Sequence, residues 1–167
     1  HLNEHSQIAF EEGRVLRHRG KIDEAIGRLK DAVGMKMDSK SVWVELGYIH
    51  ETYKGEYAEA LTCYRRATNK DNQSVNGWWG QARVLRTTGH YRKALSRFNR
   101  AVQISPRSKM IWAGRGEVLF YVGEAGEALE SLNRALMLDK EYAKAWALKA
   151  DILREVGRED EAENAQD

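Results

Sequence analysis

Hydrophobic positions along the chain recur at helical spacing rather than in strict alternation. In the segment 40–74, a first stripe contains Trp43, Leu46, Gly47 and His50, which stand at positions i, i+3, i+4 and i+7 of a helix. A second helical stripe follows Gly55 and contains Ala60, Leu61, Tyr64 and Ala67. The pattern therefore predicts two helices joined by a short turn at a glycine.

The same helix-turn-helix pattern returns about every 34 residues. Glycine recurs at Gly20, Gly55, Gly89, Gly123 and Gly157. Alanine follows each of them by five residues, at Ala25, Ala60, Ala94, Ala128 and Ala162. Tryptophan recurs at Trp43, Trp78, Trp112 and Trp146, and a small residue at Gly13, Gly47, Ala82, Gly116 and Ala150. One period shared by several residue columns predicts a repeat protein.

Each recurrent residue has an expected structural role. The glycines are expected to form the turns inside the hairpins, because glycine adopts the left-handed backbone of a helix end without strain. Three serines precede the next helices, Ser39, Ser74 and Ser108, and each is expected to accept a hydrogen bond from a first-turn N–H. The small residues are expected to receive the alanines where two helices cross, and the recurrent tryptophans to be core residues.

These columns resemble the tetratricopeptide repeat (TPR), in which Trp, Leu-Gly, Ala, an aromatic residue and Pro recur at this spacing. The second unit carries Trp43, Leu46-Gly47, Ala60 and Tyr64, and the third ends near Pro106. The units span residues 6–39, 40–74, 75–108, 109–142 and, in part, 143–167. The resemblance implies an all-α fold over residues 1–167, a single array of antiparallel helix-turn-helix hairpins in a right-handed superhelical solenoid. It also implies that the first helices line a concave groove.

The chain departs from this pattern in three places. Gln81, Arg115 and Lys149 replace the usual leucine of the first helix, which predicts looser packing there. One additional residue at Tyr53-Lys54 precedes Gly55. The chain ends about nine residues into the second helix of the fifth hairpin, so an incompletely covered C-terminal end is expected. Two hypotheses account for it: the chain is a fragment of a longer protein, or the open end self-associates.

Composition favours a soluble protein. One cysteine, Cys63, excludes an internal disulfide, and no apolar stretch reaches the roughly 18–20 residues that cross a bilayer. A single proline among 167 residues favours helix throughout. We therefore expect a cytoplasmic protein without a membrane partner.

No residue pattern indicates catalysis or a bound cofactor. His50-Glu51 begins a zinc-protease motif, but Lys54 stands where the second histidine is needed. Cys63 has no neighbouring base and no second cysteine at CxxC spacing, which favours an inert thiol. The sequence therefore predicts neither an enzyme nor a metal or cofactor site.

The resemblance places the groove one residue along from the buried stripe of each first helix. The partner-binding residues expected on this basis are Phe10, Arg14, Arg17, Tyr48, Trp79, Arg83, Arg86, Glu117, Phe120 and Tyr121. Segment 75–108 contains seven Lys or Arg and no Asp or Glu. Because arginine pairs with carboxylates through two donors, Arg83 and Arg86 beside Trp79 favour an acidic and apolar peptide segment of a protein partner.

Other functions are compatible with the same repeats. A homotypic assembly module would dock one array's end or groove on another. An RNA-binding array would use arginines and stacking aromatics, but the net charge of +2 and the acidic last two units argue against it. The chain is also compatible with the non-catalytic arm of a larger enzyme.

Overall fold

The computed structural model describes residues 2–166, and the side chains of residues 4–160 and 162–164. His1 and Asp167, the ends of the predicted array, lie outside the described residues. The helices are α1 (Leu2–His18), α2 (Ile22–Gly34), α3 (Lys40–Ile49), α4 (Tyr57–Lys70), α5 (Val75–Thr87), α6 (Tyr91–Ile104), α7 (Lys109–Tyr121), α8 (Ala125–Leu138) and α9 (Ala143–Gln166). Within residues 2–166 no strand occurs, so the all-α class is confirmed.

The chain divides into two compact units, His1–Val84 and Leu85–Asp167. In unit 1, α1 packs on α2 and α3 on α4; in unit 2, α7 packs on α8 and α8 on α9. Each packed pair within a repeat is a hairpin of the predicted kind. The repeat boundaries and the arrangement as one array stay predictions.

Four of the five recurrent glycines form turns. Gly20, Gly55, Gly89 and Gly123 have φ values of 77°, 64°, 82° and 88°, which confirms the left-handed turns. The turn predicted at Gly157 is wrong, because α9 continues through it to Gln166. The residues after Gly157 are mostly charged, so folding this segment back would bury little apolar surface.

The additional residue before Gly55 is accommodated in a π-helical turn, His50–Lys54, which directly follows α3. The Glu56 N–H donates to the His50 carbonyl over 2.9 Å and closes this turn before α4 begins. A π-turn of this kind holds one more residue than an α-helical turn. The spacing of 35 between Gly20 and Gly55 is therefore its signature in the sequence.

Small residues on the first helices receive large side chains, and not the alanines that the sequence suggested. A Cβ at Gly13 would lie 2.7 Å from Leu29 Cγ, and one at Gly116 would lie 2.9 Å from Leu132 Cγ. The alanine approaches the first helix through its backbone, since the Ala128 carbonyl oxygen would lie 3.1 Å from a Cβ placed at Gly116. Close helix approach is thus confirmed, with a leucine inserted at Gly13 and Gly116 and the Tyr64 ring at Gly47.

Gln81, Arg115 and Lys149 occupy the position where the repeat pattern has leucine, which we call the leucine column. Each of them is hydrogen-bonded to a neighbouring helix, which corrects the predicted loose packing. Gln81 is 1% exposed, and its Nε2 donates to the Tyr64 carbonyl and to Thr68 Oγ1. Arg115 donates to Asn99 Oδ1 over 2.7 Å and to Ser131 Oγ over 2.6 Å. Lys149 donates to Asn133 Oδ1. These side chains replace apolar contact by hydrogen bonds to a second helix.

The recurrent tryptophans hold the preceding loops by hydrogen bonds. Each indole N–H donates over 2.7–2.8 Å to an oxygen five or six residues earlier; the acceptors are Asp38 Oδ1, Asn72 O, Pro106 O and Lys140 O. Trp43, Trp78 and Trp112 are half-buried, and Trp146 is 50% exposed. Trp43 and Trp112 pack against the core clusters, so the core prediction holds in part for these two, whereas it is wrong for the half-exposed Trp146. None of the four is fully buried, because each indole N–H reaches the loop at the surface.

Two of the three serine caps form. Ser74 Oγ accepts from the Gly77 N–H over 3.2 Å, and Ser108 Oγ accepts from the Ile111 N–H over 3.4 Å. Ser39 precedes α3 as predicted but makes no cap hydrogen bond. Its buried hydroxyl has no hydrogen-bond partner in the part of the chain that is described, so this cap prediction is wrong.

Candidate partner-binding surfaces

First helices of unit 1 carry five side chains in two contacting groups, Arg17 with Tyr48, and Arg83 with Glu51 and Trp79. Arg17 comes from α1, Tyr48 and Glu51 from α3 and its π-helical turn, and Trp79 and Arg83 from α5. Tyr48 and Glu51 share a helix face because they stand three residues apart. We call these five side chains the unit 1 surface.

Arg83 is held by Glu51 in a two-point ion pair. Its Nε and Nη2 donate to the two carboxylate oxygens of Glu51, each over 2.9 Å. Tyr64 Oη donates to Glu51 Oε2 over 2.6 Å and accepts from Arg83 Nη2 over 3.2 Å. Burial alone would lower the pKa of Arg83, but its bonds to Glu51 and the Glu51 charge outweigh burial and raise that pKa. The guanidinium is therefore neutralised in place.

The Arg83 guanidinium also lies 4.7 Å from the ring centroid of Trp79. Trp79 is half-buried and stands outside the tryptophan column. Whereas the column tryptophans donate their N–H to loop oxygens, the Trp79 N–H has no hydrogen-bond partner among the described residues. This indole thus combines a ring fixed by a cation with an N–H that is available to a partner.

Arg17 forms the second neutralised pair of unit 1. It is ion-paired with Glu45 on α3, and its guanidinium lies 5.2 Å from the Tyr48 ring centroid. Burial would lower the pKa of Arg17, but hydrogen bonds to Glu45 and Tyr53 raise it. Tyr53, in the π-helical turn, meets Tyr48 edge to face with centroids 6.2 Å apart. Tyr48 is 37% exposed and Tyr53 45% exposed.

Unit 2 has a separate surface on its own first helices. Glu117 on α7 accepts from Arg86 Nη1 over 2.9 Å and lies 3.8 Å from Lys144 Nζ on α9. Phe120 and Tyr121, on the last turn of α7, have ring centroids 6.3 Å apart. Arg86, Glu117, Phe120, Tyr121 and Lys144 together are called the unit 2 surface. One carboxylate stands between two cations there, which leaves an excess positive charge.

Tyr121 is the exposed aromatic residue of this unit 2 surface. It is 53% exposed, and its ring stacks on Tyr91 from α6 with centroids 4.7 Å apart and planes inclined by 19°. Stacking of this kind fixes the orientation of a surface ring. A rigid ring offers contact area to a partner at a low cost in side-chain entropy.

Two of the sequence predictions for the groove need correction. Phe10 is 7% exposed and packs in the core cluster with Leu46 and Ile49, because a large apolar side chain between core and groove gains most by turning inward. Arg83 and Arg86 were expected as available donors, yet each is ion-paired with a glutamate about one repeat away. Arg14 is exposed, and among the described residues its ion pair is with Glu11 of the same helix, over 3.4 Å.

Sequence reasoning left Glu45 and Tyr53 of unit 1, and Tyr91 and Lys144 of unit 2, out of the groove. Glu45 and Glu51 neutralise the arginines of unit 1, and Tyr53 completes its aromatic pair. The signals were present: opposite charges stand one repeat apart on first helices, and the 35-residue spacing marks the turn that carries Tyr53. In unit 2, Lys144 and Tyr91 have no such signal, since their contacts depend on side-chain direction.

Chemistry elsewhere in the described chain is limited. Burial raises the pKa of the Cys63 thiol to about 11, and this side chain is 8% exposed, as expected of an unreactive thiol. Among the described residues, no group of three or more His, Cys, Asp or Glu is placed to hold a metal ion. Within the same residues, no helix combines the length and apolar character needed to span a membrane.

Comparisons with known sequences identify one family. A family model described as tetratricopeptide repeat matches residues 10–74, 51–109, 79–136 and 113–167. No curated protein sequence matches the chain.

Solved structures with the same helical-repeat fold include MamA, at 18% identity over 96% of this chain and 87% of MamA, with a TM-score of 0.85. YrrB, described as a TPR protein with an unusual peptide-binding site, is 19% identical over 87% of this chain and 74% of its own, with a TM-score of 0.76. The first TPR of Spaghetti (RPAP3), bound to the HSP90 peptide SRMEEVD, is 22% identical over 71% of this chain and 93% of its own, with a TM-score of 0.68. At these identities the likeness shows the fold alone.

Proposed function

The chain belongs to the tetratricopeptide repeat family, a family of non-enzymatic protein-interaction scaffolds, and we propose that it binds a peptide segment of a protein partner on the surfaces of its first helices. One observation carries the proposal: within each unit, side chains of neighbouring first helices pair with one another and leave aromatic rings partly exposed. Two structural neighbours are themselves described with a peptide-binding site or a bound peptide, which supports a peptide as the kind of partner.

Unit 1 supplies apolar recognition. Tyr48 and Tyr53 are partly exposed, and Trp79 is half-buried with an unused N–H. Arg17 and Arg83 orient the rings of Tyr48 and Trp79 by lying over them. Rigid Tyr and Trp side chains of this kind carry most of the binding free energy in protein interfaces.

Unit 2 supplies recognition of an acidic side chain. Glu117 balances only one of the two cations beside it, Arg86 and Lys144. A partner carboxylate reaching Lys144 would restore neutrality, while Phe120 and Tyr121 contact its apolar neighbours. The acidic and apolar character of the partner is thus divided between the two units.

Peptide display followed by titration tests this function. Peptides selected from a random display library on the intact chain are labelled, and their binding is measured by fluorescence anisotropy. We expect Trp79→Ala or Lys144→Glu to weaken selected peptides by roughly tenfold or more. The matched control is Tyr57→Ala, because Tyr57 is 37% exposed on α4 and belongs to neither surface. Selected peptides that bind all these variants equally would refute the proposed surfaces.

A second candidate is self-association through the C-terminal part of unit 2. Large apolar side chains are exposed there: Met137 by 79%, Leu138 by 43%, Trp146 by 50% and Leu153 by 50%. Light scattering across a concentration series is expected to show a dimer that Leu153→Glu abolishes. A molar mass that stays at 19.1 kDa at every concentration would count against this candidate.

A further inference from the structure

We propose that the unit 1 surface selects an extended, uncharged, proline-containing segment. The inference rests on the proposed function and names the class of peptide that unit 1 takes. It starts from charge: both arginines of this surface are already neutralised, Arg17 by Glu45 and Arg83 by Glu51. An acidic side chain would have to displace Glu51 from two 2.9 Å hydrogen bonds to Arg83. A neutral segment leaves these pairs intact.

Shape is the second argument, and it comes from the π-helical turn. The additional residue in His50–Lys54 brings Tyr53 edge-on to Tyr48, with ring planes inclined by 77°. We call these two partly exposed rings, which lie at nearly a right angle to each other beside Arg17, the tyrosine notch. A pyrrolidine ring is flat, apolar and rigid, so it fits such a notch with little loss of entropy.

Hydrogen bonding is the third argument. The Trp79 N–H has no partner among the described residues, in contrast to the column tryptophans. A segment in the polyproline II conformation has no internal hydrogen bonds and presents solvated backbone carbonyls as acceptors. Trp79 contacts Arg83, which pairs with Glu51, and Glu51 stands three residues after Tyr48 in the chain. An extended segment that crosses from α3 to α5 would meet both the donor and the rings.

Labelled synthetic peptides test the selectivity of the intact chain. The first is a neutral peptide of alternating proline pairs and leucines; the second has glutamate in place of leucine, and the third has glycine in place of proline. We expect the neutral proline peptide to bind roughly tenfold or more tightly than either control. Equal or tighter binding of the glutamate or glycine peptide would overturn the inference.

Variants locate the binding site. Trp79→Phe keeps an aromatic ring but removes the N–H, and we expect it to weaken the proline peptide by roughly 2- to 10-fold. Tyr53→Ala opens the notch and should weaken it by at least about fivefold. Trp78→Phe is the matched control, because the Trp78 N–H donates to the Asn72 carbonyl and lies outside the unit 1 surface. Circular dichroism checks that each variant is folded.

Display-selected peptides separate this inference from the proposed function. If selected peptides lose binding on Trp79→Ala while the neutral proline peptide does not bind, the selectivity is wrong and the binding surface stands. If Trp79→Ala weakens no selected peptide, the unit 1 part of the proposed function fails as well. Tight proline-peptide binding that Tyr53→Ala and Trp79→Phe leave unchanged would overturn the inference, because the peptide would occupy another surface.

Discussion

Replacing Gly80 by alanine tests how unit 1 holds its binding surface in place. A Cβ at Gly80 would lie 2.5 Å from both Cδ1 and Cζ of Tyr64. The ring cannot retreat freely, because Gly47 lies against the same ring, where a Cβ would be 2.8 Å from Cε1. The Tyr64 hydroxyl is also fixed between Glu51 and Arg83. Any shift of the ring therefore moves the ion pair under Trp79.

Two opposing terms set the expected magnitude of Gly80→Ala. Overpacking a well-filled site costs about 1–3 kcal/mol. Alanine in place of glycine inside a helix returns about 1 kcal/mol of helix propensity. Because the Tyr64 ring is confined by both glycines, the steric cost should lie near its upper limit. We expect Gly80→Ala to lower the free energy of unfolding by about 2 kcal/mol.

Urea denaturation followed by circular dichroism measures this change, with Gly27→Ala as the matched control. Gly27 lies inside α2, and nothing is within 4 Å of a Cβ placed there, so this change should stabilise by about 0.5–1 kcal/mol. Tyr64→Leu should relieve the clash, and the double variant with Gly80→Ala should show a favourable coupling of about 1–2 kcal/mol.

Natural variation inside the chain supports this expectation. An aromatic ring on a second helix faces a glycine on the next first helix in two repeats: Tyr64 faces Gly80, and Phe98 faces Gly114. A Cβ at Gly114 would lie 2.5 Å from Phe98 Cε1. At the equivalent position after Leu132 the chain has Leu148. If Gly80→Ala and Gly27→Ala changed stability equally, the ring would be free to move, and the size-matching argument would be refuted.

Three further predictions concern single side chains. Cys63, with its pKa raised to about 11 from 9.0, should react with a disulfide reagent roughly 100-fold more slowly in the native chain than in urea at pH 8; comparable rates would contradict its burial. Ser74→Ala should cost about 1 kcal/mol of unfolding free energy and Ser39→Ala close to none, because only Ser74 caps its helix; thermal melts that show equal losses would be inconsistent with this difference. Trp78→Phe should cost about 0.5–1.5 kcal/mol through its lost bond to the loop, whereas Trp79→Phe should change urea stability by less than about 0.5 kcal/mol.

The repeat period and most of the turns were predictable from the sequence, because each depends on local backbone chemistry. A glycine after a helical stripe turns the chain wherever a second helix has enough apolar surface to fold back. Gly157 shows the limit of this reasoning, since the glycine is present but the segment after it is mostly charged, and α9 continues. The turn therefore depends on burial as well as on glycine.

The surface was only partly predictable, because register places a side chain but does not decide its partner. Tyr48, Trp79 and Tyr121 were expected on first helices, and the structure leaves them half-buried or partly exposed there. Whether Arg83 is free to bind a partner was not predictable from its own repeat, because the residue that pairs with it, Glu51, belongs to the preceding repeat. Pairing across repeats needs the charges of neighbouring first helices to be considered together.

Two polar side chains of the leucine column should differ in how much they contribute to stability. Arg115 and Lys149 occupy equivalent positions of unit 2 and hydrogen-bond to Ser131 and Asn133, respectively. Ser131 is 1% exposed, so water cannot replace a lost donor, whereas Asn133 is exposed and water can. A buried polar group without its partner costs about 1–3 kcal/mol.

The same substitution should therefore give different results at the two positions. We expect Arg115→Leu to destabilise the chain by about 1–3 kcal/mol and Lys149→Leu to change the free energy of unfolding by less than about 0.5 kcal/mol. Adding Ser131→Ala should recover part of the Arg115→Leu loss, because both partners of the bond are then apolar. Equal losses at both positions, or no recovery in the double variant, would mean that repeat packing rather than the buried hydroxyl determines the cost of losing a polar residue in this column.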